Sequence, residues 1–121
     1  MSLSPSLPHK HGHVLEKASN HVPGHERFQN VADTFRLLSD PNRLKIFWIL
    51  CHGEECVINL AALMNMSSPS IAHHLKLLKM SGIVRSRREG KEVYYNVQSS
   101  EIVKALHPLV ERMMQLTCSQ G

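Results

Sequence analysis

From Glu26 onward, apolar positions recur at helical spacing: Phe28, Val31, Ala32, Phe35 and Leu38 lie on one side of a first predicted helix. Ser39-Asp40-Pro41 ends it and starts another, with Asp40 as N-cap and Pro41 in the first helical position. The second helix carries Leu44, Phe47, Ile49 and Leu50 and stops at His52-Gly53. A short third helix is expected over Val57 to Met64. Ser68 before Pro69 opens a fourth, which runs to about Met80, where Ser81-Gly82 ends it. Ile71, Leu75 and Leu78 share one face of that helix, and Ser70, His73, Lys76 and Leu77 lie roughly opposite.

After Gly82 the period changes to two. Ile83 to Arg88 and Glu92 to Val97 read as strands, joined by Glu89-Gly90-Lys91 in a hairpin. A last helix, about Ser99 to Cys118, is apolar on two stripes, one with Ile102, Leu106, Leu109, Met113 and Leu116, the other with Val103, Val110 and Met114. One small domain cannot bury both, so the excess predicts a dimer surface. The expected fold is mostly α with a small β-hairpin, in the order α-α-α-α-β-β-α, and homodimeric. Its third and fourth helices form a helix-turn-helix, and the hairpin after them is a wing.

Composition sharpens that picture in three ways. The chain has 121 residues, 42% hydrophobic and 20% charged, enough for one soluble domain. Its longest apolar run, Ile46 to Cys51, is far short of the roughly 18 residues that span a bilayer, so a cytoplasmic protein without membrane contact is expected. Three cysteines in uneven spacing make no disulfide framework.

The net charge of +4 is concentrated rather than spread. Lys76, Lys79, Arg85, Arg87, Arg88 and Lys91 face one anion, Glu89, between positions 76 and 91, so that window carries +5 and the rest of the chain −1. A charge run is often only a solvated face. Here it coincides with a helix-turn-helix and wing, and double-stranded DNA becomes the expected partner. A helix with a polar outer face fits the major groove, with its N-terminal residues nearest the base edges. Ser67, Ser68, Ser70, His73 and Lys76 are the candidate contacts on the helix. Arg85, Arg87, Arg88 and Lys91 are the candidates on the wing, where they neutralise phosphate and release counterions. The expected operator is palindromic, matching a two-fold dimer.

Residues 1–25 differ from the rest, with three prolines and few large apolar side chains, and form an expected flexible, His-rich tail ahead of a domain over 26–118; residues 119–121 are a short C-terminal tail. The chain has nine histidines. His9, His11 and His13 alternate in the tail, an imidazole-rich pattern suited to zinc, nickel, cobalt or copper, though a solvated tail with adventitious affinity reads equally well.

Four segments carry a family resemblance: Leu38-Ser39-Asp40-Pro41-Asn42-Arg43-Leu44-Lys45-Ile46, Glu55-Cys56-Val57, Ala72-His73-His74-Leu75-Lys76-Leu77-Leu78 and Gly90-Lys91-Glu92-Val93-Tyr94-Tyr95. In consistent order over about residues 26 to 118, they resemble the ArsR/SmtB family of bacterial metal-responsive repressors. The resemblance implies a homodimeric winged helix-turn-helix that represses from an operator and lets go when an inducer binds.

The family's sensing positions are where this sequence departs. The arsenic and cadmium type carries a Cys-Val-Cys run; here Cys56-Val57-Ile58 keeps one thiol. The other common site pairs ligands at both ends of the last helix, positions occupied here by Ser99, Glu101, Arg112 and Gln115. Neither site closes, so a metal inducer, Zn, Ni or Co by donor type, must use ligands elsewhere. His107 and Glu111 are four apart on the last helix and can face one ion; the bland reading is an interface histidine beside a solvent carboxylate. Cys51, His52 and Cys56 gather near the end of the second helix, where Cys51 also continues an apolar run.

Two other functions are weighed against metal release. A thiol-responsive repressor of the same fold would use Cys118 with Cys51 or Cys56. Thiol sensors of the resembled family carry one cysteine in the second helix and one in the last, and Trp48 stands where the former is expected. An enzyme or a metal carrier is the remote alternative, because the chain has no nucleophile–base pair, phosphate loop or closed zinc motif. No enzymatic activity is expected.

Overall fold

The computed structural model describes residues 8–9 and 21–118, so His11 and His13 lie outside it. Two compact units divide the chain, residues 1–35 and 36–121. Helix α1 (His25–Leu38) begins in the first. There Phe28, Val31 and Phe35 are all more than half exposed, whereas Leu38, at the end of the same stripe and already in the second unit, is buried.

In the second unit, α2 (Pro41–His52) starts as its sequence dictates. Asp40 is extended, with φ −80° and ψ 124°, and its carboxylate accepts from the amides of Asn42 (2.9 Å) and Arg43 (3.0 Å). Those amides have no helical partner of their own. The Arg43 bond first, then that of Asn42, holds the Asp40 carboxyl below the usual carboxylate range. The Arg43 guanidinium also donates from Nε to the carbonyl of Leu37 (2.7 Å), which ties the end of α1 to the start of α2.

A strand the sequence pattern did not predict follows. β1 (Glu55–Cys56) pairs antiparallel with β3, Glu55 opposite Tyr95 and Cys56 opposite Tyr94. The expected two-stranded hairpin is therefore a three-stranded sheet in the order β1-β3-β2. β2 (Val84–Glu89) and β3 (Glu92–Val97) flank a two-residue loop, and Gly90 takes φ 63° at the first of its residues, as a type II′ turn requires.

Helix α3 (Val57–Met64) ends on Asn65 in the left-handed region, whose amide returns to the carbonyls of Ala61 and Ala62. Helix α4 (Ser68–Met80) is capped by Ser67 rather than Ser68: the Ser67 hydroxyl accepts from the Ser70 amide (3.2 Å). At its other end Gly82 takes φ 76°, and the Ile83 amide closes onto the Leu78 carbonyl (3.1 Å).

Helix α5 (Glu101–Cys118) begins two residues later than expected and contains Pro108. Proline has no amide hydrogen, so the Lys104 carbonyl lacks its helical partner. Ile46, Phe47 and Leu50 of α2, Ile71, Leu75 and Leu78 of α4, and Val103, Leu106 and Val110 of α5 form one buried cluster. Truncating a fully buried member such as Leu50 to alanine costs about 2–5 kcal/mol. Helix α4 is thus seated on α2, and α5 closes the same core.

Candidate nucleic-acid interface and metal centre

The outer face of α4 is open. His73 and Lys76 are exposed, and Lys76 makes no ion pair among the described residues. Ser67 and Ser70 are tied to each other, the Ser67 hydroxyl donating to the Ser70 hydroxyl (2.8 Å), so Ser67 serves first as a cap. Ser68 is exposed in the first turn. His74 is half-buried, its ring 5.9 Å from that of His73, and its buried Nδ1 has no hydrogen-bond partner among the described residues. Packing therefore claims part of His74, while His73 faces outward.

The wing is less open than its sequence suggests. Strand residues alternate between faces. Ser86 points toward α4, accepting from Lys79 Nζ at 2.7 Å, and Arg88 shares that face. Arg85 and Arg87 lie on the other. Arg87 Nε donates to Glu54 Oε2 (2.8 Å), Nη2 to Glu54 Oε1, and Nη1 to Glu89 Oε2 (2.7 Å). Its guanidinium carbon also stands 4.9 Å from the centre of the Tyr94 ring. The Arg87 bonds hold the Glu54 carboxyl below its ordinary value, and Glu54 first, then Glu89, raise that of Arg87. Sequence reasoning assigned Arg87 to phosphate and had no signal for Glu54, 33 residues away. Arg85, Arg88 and Lys91 are exposed and carry no ion pair among the described residues.

A second cluster lies where α2 ends beside α5. Glu111 Oε1 is 3.3 Å from His107 Nε2 and 3.3 Å from His52 Nε2. The expected pair on α5 is thus present, and His52, grouped by sequence with the cysteines, joins it instead. The three ligand atoms lie within 4.8 Å of one another, the one such His, Cys or acidic group among the described residues. Cys56 is elsewhere, the N-cap of α3 with no side-chain cap bond. His9 is exposed and joins no such group among the described residues.

Cys51, Cys56 and Cys118 are all free. Burial, and then the charge of Glu111, push the Cys51 thiol up to about 11, so at neutral pH it is protonated and a poor nucleophile. No helix among the described residues is long and apolar enough to cross a membrane.

Comparison with known proteins agrees with this architecture. The family described as "Bacterial regulatory protein, arsR family" matches residues 40–86, from the cap of α2 into the wing. A cadmium resistance transcriptional regulatory protein CadC homolog of Staphylococcus aureus is 42% identical over 60% of this chain and 61% of its own length. The transcriptional repressor SdpR of Bacillus subtilis is 32% identical over 62% of this chain and 83% of its own. Among solved structures, the homodimeric winged helix-turn-helix DNA-binding domain Mb0332 of Mycobacterium bovis superposes with a TM-score of 0.68 at 29% identity, covering 80% of this chain and 89% of that one. The capped α2, the α3–α4 pair and the basic hairpin are thus features of a known regulator fold, and this chain belongs to the ArsR family as a winged helix-turn-helix, DNA-binding transcriptional repressor.

Proposed function

We propose that the protein represses as a homodimer from a palindromic operator and is released by a transition-metal ion. The observation that carries the DNA half is the outer face of α4: Ser70, His73 and Lys76 are exposed on a helix seated firmly by Ile71, Leu75 and Leu78. Its N-terminal turn reads base edges in the major groove, and Arg88 and Lys91 meet phosphate beside it. The dimer half is supported by α5, where Ile102, Leu109, Met113 and Leu116 are all about half exposed. A continuous apolar stripe of that kind calls for a partner, and a second copy brings two recognition helices to half-sites about one helical turn apart.

Metal release is supported by the donor set where α2 ends beside α5 and by the cadmium-resistance regulator among the relatives. Two imidazoles and a carboxylate suit zinc, nickel or cobalt better than a softer ion, which favours several thiolates. To act, the ion must bind the DNA-free dimer more tightly than the operator-bound one, because equal affinity shifts nothing. The test is operator affinity of the full-length reduced protein, measured with and without each ion, together with its sedimentation. A dimer whose operator affinity falls at least tenfold with one of these ions is expected. A monomer at micromolar concentration without any footprint, or an affinity no ion alters, overturns the corresponding half.

A further inference from the structure

We infer that His52, His107 and Glu111 form one binding site for a borderline divalent cation of the zinc class, closed within a single chain between the end of α2 and the middle of α5. A tetrahedral zinc ion with ligand bonds of about 2.0–2.1 Å sets its ligand atoms about 3.3 Å apart. Two of the three edges of such a face already exist, Glu111 Oε1 to His52 Nε2 and Glu111 Oε1 to His107 Nε2, each 3.3 Å. The third ligand atom pair is within 4.8 Å, a gap that side-chain rotation closes.

The orientation of His52 is set before any ion arrives. Its Nδ1 is 2.8 Å from the Trp48 carbonyl oxygen, which can only accept, so the proton sits on Nδ1 and the Nε2 lone pair is left toward Glu111. A ligand imidazole held by its other nitrogen in this way is the usual outer-shell arrangement of a metal site. The Trp48 ring, its centre 4.2 Å from that of His52, packs against the imidazole and limits its rotation. The His52 and His107 rings stand nearly perpendicular, 83° apart with centres separated by 5.2 Å. The C-terminal end of α2, which carries His52, favours a cation through its dipole. His52 remains 47% exposed, which leaves a fourth position for water.

Such an ion joins two elements that meet the DNA-binding parts differently. Ile46, Phe47 and Leu50 of α2 pack in the core with the buried face of α4. Two residues after His52, Glu54 grips Arg87 in the wing. The ion therefore fixes α5 to the helix and loop that support both DNA-contacting elements. That regulatory consequence rests on the operator-release reading above; occupancy of the site does not.

The experiment uses full-length, tag-free, metal-free protein. Co2+ is titrated by its visible ligand-field bands, and Zn2+ by competition with a chromogenic indicator. One ion per chain with intense, tetrahedral-type cobalt bands is expected. His52→Ala, His107→Ala and Glu111→Gln should each weaken binding at least tenfold while circular dichroism stays unchanged. His52→Gln serves as a second variant of similar size if His52→Ala loses its fold. Replacing His9, His11 and His13 together by alanine should leave the tight ion in place.

No saturable binding, which means an ion pair only, overturns the site. So does wild-type affinity in His52→Ala, or loss of the ion in the tail variant. Operator binding is read separately. An ion that binds through the three residues without changing operator affinity upholds the site and removes the release reading. Release that persists in His52→Ala upholds the release reading and overturns this site's part in it.

Discussion

The outer face of α4 and the wing carry similar charge in the sequence but are prepared differently for DNA. On α4, Lys76 and His73 project from a rigidly seated helix, with no carboxylate partner among the described residues. In the wing, Arg87 is held by two carboxylates and lies against Tyr94. A cation with an internal partner must give up that partner before it neutralises phosphate, so its net gain is small. The difference teaches that counting cations overstates the wing and understates the helix.

The largest effect that tests this contrast is expected on α4. Ser70→Ala or His73→Ala should cost on the order of 1–3 kcal/mol on the operator and much less on random duplex, measured by competition binding. Equal losses on both duplexes would make the helix a phosphate-holding element and erase the contrast. Next come the open cations. Lys76→Ala and Arg88→Ala should weaken both duplexes alike and lower the slope of log affinity against log salt by about one each.

Arg87→Ala should leave that slope nearly unchanged. Glu54→Gln, which weakens the hold on Arg87, should raise it slightly. A slope that falls as far in Arg87→Ala as in Arg88→Ala would remove the distinction between clamped and open arginines.

The smallest effect is on stability and its pH dependence. The Glu54 carboxyl is lowered by Arg87, so the clamp contributes fully above the ordinary glutamate range and is lost as pH falls through the lowered folded value. The melting temperature difference between wild type and Arg87→Ala should therefore be constant near neutrality and shrink below about pH 4. It should also be modest and shrink with added salt, because half of the Arg87 side chain is exposed. Asp40→Ala serves as a control with the same sign and no wing involvement. It should lower the melting temperature by a few degrees near neutral pH, and by less in acid, without altering the salt slope.

What the sequence made legible follows the range of the interactions. Asp40-Pro41 marks a helix start because cap and amides are two or three residues apart, and Gly90 marks the hairpin because its φ is a local demand. β1 escaped because two residues are too few to show a period, and Val57 beside them already reads as helix. Cys56, grouped by sequence with Cys51 and His52, is instead the end of that strand and the cap of the next helix. The His107–Glu111 half of the cluster was legible as an i, i+4 pair. His52 was not, because only the packing of α2 against α5 carries it there; adjacency in sequence had grouped it with cysteines. Glu54 escaped for the same reason.

Pro108 divides α5 in a way that hydrogen exchange can read. The hydrogen-bond ladder is interrupted where the Lys104 carbonyl meets no amide, so opening of the last turns need not propagate toward the N-terminal half. Before the proline, Val103 and Leu106 are locked in the core and, of the large apolar residues, only Ile102, in the first turn, looks outward; after it, Val110 is still buried, but Leu109, Met113 and Leu116 look outward until a second chain covers them. Local opening is governed by such burial. Deuterium uptake over residues 103–107 should then be indifferent to protein concentration, whereas uptake over 111–118 slows as concentration rises. The proline thus makes one helix into two reporters, the first of the fold of a single chain and the second of its encounter with another.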